Sequence, residues 1–116
     1  MASSFKHYRR LVHLLKKEIP PAYPVSVRRI KLNKHLEGSC SKSGKKFYIS
    51  IDRSLNETRA MDVLLHEWAH ARAWHHMLDA APTDEVFNKL AHDAAWGVAY
   101  SEVYAIYEKH FTHSVL

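Results

Sequence analysis

Apolar positions recur along this chain with a helical period at both ends and a two-residue period between. In SSFKHYRRLVHLLKKEI, Phe5, Tyr8, Leu11, Val12, Leu15 and Ile19 return every three or four residues. That is the stripe of an amphipathic helix, and its other face is basic. PPAYP, Pro20 to Pro24, ends it, because proline lacks a backbone donor and restricts the residue before it. VSVRRIKL then reads as a strand. KKFYISID is a clearer one, with Phe47, Ile49 and Ile51 on one face and Tyr48 and Ser50 on the other. Gly38 and Gly44 mark turns between these strands, with room for a short strand around Ser39 to Ser41.

Ser54 and Glu57 are spaced as a capping box, in which the hydroxyl accepts a backbone N–H and the carboxylate reaches back. No Gly or Pro follows until LDAAPTDE, so a helix is expected to about Met77. Thr83 or Asp84 can cap a new helical segment. AHDAAWGVAYSEVYAIYEKHF predicts a final helix, whose stripe of Trp96, Tyr100, Val103, Tyr104 and Tyr107 has the spacing of core packing. Helix, small sheet and two helices in that order predict an α+β domain.

The length of 116 residues suits one compact domain, 1–116. AAWGVAY, Ala94 to Tyr100, is the longest uncharged apolar run and is too short to cross a bilayer. The basic MASSFKHYRR is not followed by the apolar stretch of a signal peptide, so the expectation is a cytoplasmic protein. Cys40 is the only cysteine, which rules out an intramolecular disulfide or a zinc ribbon. It reads as a bystander thiol in a polar turn. Any metal site must then be built from histidine and carboxylate.

Charge is divided unequally. Residues 1–50 carry 12 Lys or Arg against 2 Asp or Glu, whereas residues 51–116 carry 5 against 10. The first predicted helix contributes Lys6, Arg9, Arg10, Lys16 and Lys17. Such a basic half is a candidate footprint for DNA, or simply a solvated face that keeps a small protein soluble.

His66-Glu67-Trp68-Ala69-His70 carries the chemistry. Residues four apart on a helix lie about 40° apart in rotation, so both imidazoles leave one face and can reach a single zinc ion. Glu67 lies beside them, suited to act on a water rather than to ligate. A shuffled chain of this composition would contain roughly 0.05 such matches, so chance is a poor explanation.

Two ligands rarely suffice. His76 has the spacing to His70 of a longer zinc-protease motif, but that motif needs glycine where Ala73 stands, to turn the chain out of the helix. On a continuing helix, His75 and His76 point away from His70. His92, beyond the predicted turn at the start of the last helix, is the first choice for the third ligand. Glu102, on the same helix, is the second.

KKFYISIDRSLNETRAMDVLLHEWAHARAW followed by HDAAWGVAYSEVY resembles the SprT-like zinc metallopeptidases, which include the Spartan proteases, and in particular their short bacteriophage-encoded forms. The resemblance runs from about Gly38 to Tyr107. It implies a minimal zincin-like fold: an N-terminal helix, a three-stranded antiparallel or mixed sheet, a helix bearing the two histidines, and a C-terminal helix. It also implies Zn2+ held by His66, His70 and His92, with Glu67 as the catalytic base. Asp93 stands where the family usually has glycine, and the family's frequent cysteine-rich ribbon is missing.

Peptide-bond hydrolysis is the implied activity, in some members on proteins attached to DNA, and a phage-encoded chain would act in the host cytoplasm. Tyr100 or Tyr104 could assist at the substrate, and the Phe47 to Ile51 strand could offer an edge to an extended peptide. The rival reading is a non-enzymatic DNA-binding phage protein whose structural zinc is closed by Asp93 or His75.

Overall fold

The computed structural model describes residues 5–33 and 35–111. The first four residues of MASSFKHYRR, on which the N-terminal reading partly rests, lie outside them. Helix α1 (Lys6–Glu18) leads to strand β1 (Val25–Ile30), a hairpin of β2 (Gly38–Ser43) and β3 (Lys46–Asp52), and helix α2 (Glu57–Arg72). The short helices α3 (His76–Asp79) and α4 (Asp84–Ala91) precede α5 (Ala94–Phe111). The α+β class and the small mixed sheet agree with the sequence expectation.

Strand order is β1-β3-β2, with β1 parallel and β2 antiparallel to β3. The strand read as a peptide-binding edge, Phe47 to Ile51, is therefore the central one, and its backbone is paired on both sides. Its alternation puts Phe47, Ile49 and Ile51 on the face turned to the core, where they are fully buried. The β2–β3 turn passes through Gly44 at φ 59, a left-handed conformation that glycine adopts without steric cost.

The core lies between sheet and helices. Leu11 and Leu15 of α1 and Val103 of α5 meet Leu64, Leu65, Trp68 and Ala69 of α2, all at most 1% exposed. Each large apolar side chain so buried contributes roughly 1.5–3 kcal/mol. The indole of Trp68 donates to the Ile19 carbonyl at 2.9 Å, which ties α2 to the end of α1 without leaving a buried polar atom unpaired.

Three boundaries differ from the sequence expectation. Asn56, not Ser54, is the N-cap of α2: its side-chain oxygen accepts the Arg59 N–H at 2.8 Å. Ser54 instead binds Asp52, and Glu57 reaches across to accept the Tyr8 N–H at 3.0 Å. Asparagine caps as well as serine, so the box pattern selected the wrong member of a run of good caps.

Second, α2 ends at Arg72 rather than near Met77. There the Trp74 ring leaves the helix to pack between Phe47 and Phe87 and donates to Asp79 at 2.9 Å. Third, the last helix begins at Ala94 rather than Ala91, after the expected Thr83-capped segment has formed as α4. The break falls at His92 and Asp93, and Asp93 Oδ1 accepts the Trp96 N–H at 3.1 Å to begin α5. Among the described residues, no helix is long and apolar enough to cross a membrane.

Candidate metal centre

Helix α2 is anchored on its apolar side by Leu64, Leu65 and Trp68, which turns His66 and His70 toward a cleft between β2 and the α4–α5 corner. His66 Nε2 and His70 Nε2 lie 3.2 Å apart. Two nitrogens each about 2.0–2.1 Å from one tetrahedral ion would be about 3.3 Å apart, so this spacing is ligand-ready. His92 joins them from the end of α4, and the ligand atoms of the three histidines lie within 4.8 Å of one another. His92 terminates α4 instead of opening α5, yet the helix break brings it to the expected partners.

Backbone carbonyls orient two of the rings. His92 Nδ1 is 3.0 Å from the Asn88 carbonyl, so that nitrogen carries the proton and Nε2 keeps the lone pair. The His70 ring hydrogen-bonds the Ala91 carbonyl. Burial and the neighbouring rings hold His70 neutral, with a pKa lowered to about 4, and lower that of His66 for the same reasons. Three converging imidazoles, two of them oriented by backbone carbonyls, form a donor set suited to a divalent ion.

Trp96 packs against all three rings, at centroid distances of 4.9 Å from His66, 5.4 Å from His70 and 5.3 Å from His92. Sequence periodicity assigned it to a core stripe and missed this role. The available signal was its position four residues after His92. Gly38 closes the other wall: a Cβ there would lie 2.5 Å from Val63 Cγ1 and 3.2 Å from Glu67 Cγ.

Glu67 is 9% exposed and makes no hydrogen bond or ion pair among the described residues. Burial pushes its carboxyl up to about 7. It lines two adjoining cavities with His66, and Gly38 also borders both. Tyr100 stands at the first of these cavities and stacks on Trp96 at 5.2 Å. Tyr104, a turn further, lines a neighbouring cavity with Met61, Leu65 and Tyr107 and is not part of the histidine cleft.

The other candidates lie apart. Glu102 is exposed, 3.7 Å from Arg72, and outside the triad. His75 Nε2 is 3.6 Å from Asp93 Oδ2, so the two suggested closing ligands face each other. His76 is exposed. Both histidines are diverted because the helix has already ended, not because a continuing helix rotates them away. Cys40 sits in β2 rather than in a turn, and burial pushes its thiol up to about 12. Lys6, Arg9, Arg10, Lys16 and Lys17 are all exposed on α1. Comparison with protein-family models, curated proteins and solved structures finds no match to this chain.

Proposed function

We propose that the chain is a zinc-dependent peptidase in which His66, His70 and His92 hold the ion and Glu67 handles the proton. The convergence of three imidazoles with a buried, unpaired carboxylate in one cleft carries this reading. An all-imidazole donor set suits zinc, whereas magnesium and calcium prefer oxygen. When bound, zinc supplies Lewis acidity toward a water and a carbonyl oxygen. Glu67, poised near neutrality by burial, accepts the water's proton and returns it to the departing amine.

Tyr100 borders the adjoining cavity, which shares His66 and Glu67 with the cleft, and offers a phenolic donor to a substrate there. Strand β2 lies at the sheet edge, and its Gly38, Ser39 and Cys40 border the histidine cleft. An extended peptide can pair with such an edge through backbone groups, which gives little sequence preference. Proteins associated with DNA are the substrate class suggested by the SprT-like resemblance. A purely structural zinc would need a fourth protein ligand, and Asp93 and His75 are engaged with each other.

Wild type and Glu67→Gln are compared for bound zinc and for casein cleavage. The substitution should keep the metal and lower cleavage by roughly 10²–10⁴-fold. Full cleavage by Glu67→Gln would sink the mechanism.

A further inference from the structure

We propose that a groove between α1 and β1 binds the phosphodiester backbone of a nucleic acid, on a surface separate from the histidine cleft. Arg9 of α1 meets Arg28 and Arg29 of β1 around a cavity of about 360 Å³, whose remaining walls are Phe5, Tyr8 and two valines. The fold thus gathers onto one surface basic residues that lie about twenty positions apart in sequence. Among the described residues, no acidic side chain lines the groove. Strand β1 has no acid, and the only one on α1, Glu18, is engaged at the far end by His110 and Lys109. Glu57 of α2, the acid that touches the near end, is occupied with the Tyr8 N–H.

Two of the three charges in the groove are not otherwise used. Arg9 and Arg28 are exposed and form no ion pair among the described residues. Arg29 donates to the Arg53 carbonyl, and its guanidinium lies 3.8 Å from the centroid of the Phe5 ring. Phe5 adopts a left-handed backbone, φ 51 and ψ 40, where it caps α1 beside this contact. Arg29 Nε and the Tyr8 hydroxyl are both buried without a hydrogen-bond partner among the described residues. A groove with surplus positive charge calls for an anion with several acceptor oxygens.

A polymer fits better than a membrane. Positive charge continues along the exposed face of α1 through Lys6 and Arg10. Among the described residues, the large exposed apolar side chains are Leu36, Met77, Val86 and Val98, none on α1 or β1, so these two elements offer no anchor to insert into lipid.

Fluorescence anisotropy with a labelled single-stranded DNA of about 20 nucleotides tests the site, using the full chain at 50 and 200 mM salt. Removing two phosphate contacts with Arg9→Ala/Arg28→Ala should weaken binding at least about tenfold at low salt and reduce the salt slope by about 1.4. Lys16→Ala/Lys17→Ala removes the same charge from the far end of α1 and should weaken it less than about threefold. Arg28→Glu, a single exposed substitution, should reproduce the loss if the double variant folds poorly by circular dichroism. Equal losses in the two double variants would reduce the site to diffuse attraction and overturn the proposal. So would absence of DNA binding by wild type, or Arg28-dependent binding to vesicles containing 30% phosphatidylserine in place of DNA. The test is independent of peptide hydrolysis, since Glu67→Gln should bind the oligonucleotide as wild type does.

Discussion

Gly38→Ala probes the contact that sets the width of the histidine cleft. The backbone of Gly38 is not in the left-handed region, so alanine is tolerated there and only the new methyl group matters. Its Cβ would stand 2.5 Å from Val63 Cγ1, 3.2 Å from Glu67 Cγ and 3.3 Å from the Ser50 carbonyl oxygen. Ordinary carbon contacts are about 3.5–4.0 Å, so strand and helix must part by roughly 1 Å. Val63 cannot swing aside cheaply, being β-branched on a helix and 7% exposed. Overpacking of this kind costs about 1–3 kcal/mol.

For a chain of this size, that cost should lower Tm by on the order of 5–20 °C. In urea it should lower the midpoint with an unchanged slope. Cleavage should fall as well, because the same movement displaces Glu67. Val63→Ala in the Gly38→Ala background should restore about 1 kcal/mol or more relative to additivity, since the two positions collide directly. If Gly38→Ala unfolds within about 0.5 kcal/mol of wild type, the close approach of β2 to α2 is not as described.

Other consequences follow from single contacts. Asn56→Ala should destabilise by about 1 kcal/mol in urea denaturation, and Ser54→Ala by clearly less, because the capping oxygen belongs to Asn56. Trp68→Ala should cost about 3–5 kcal/mol, enough to leave little folded protein at 37 °C by circular dichroism. In metal-stripped protein at pH 8, Cys40 should react with a disulfide reagent roughly a thousandfold more slowly than in urea. Its thiol is pushed from 9.0 to about 12, so the reactive thiolate is scarce until the chain unfolds. Saturating zinc, at about a thousand times its Kd, should add about 4 kcal/mol to the stability of the stripped protein, and a chelator should remove it.

Much of this architecture is legible in the sequence because local patterns and burial agree. The stripe from Tyr8 to Ile19 and the alternation of Phe47, Ile49 and Ile51 are buried as their periods imply. His66 and His70 lie on one helix, so their spacing alone fixes their relation. What local patterns could not convey depends on contacts between distant segments. Trp74 ends α2 because its ring finds Phe47 and Phe87, residues no local window contains. His92 meets the other two histidines through a helix break that helical propensity alone would bridge. Trp96 looked like core because its period is that of α5, and only the folded corner shows the histidine rings it contacts. The direction of the sheet edge was equally hidden, since strand order is decided by pairing and not by the strands themselves.

The central claim is that His66, His70 and His92 form one metal site. Its most direct test is the zinc content of protein reconstituted with zinc and dialysed, measured by mass spectrometry for wild type, His92→Ala and Glu102→Gln. Wild type and Glu102→Gln should each carry about one zinc per chain, and His92→Ala should lose it, because two imidazoles hold zinc far less tightly than three. One zinc per chain retained by His92→Ala with unchanged affinity would contradict the account.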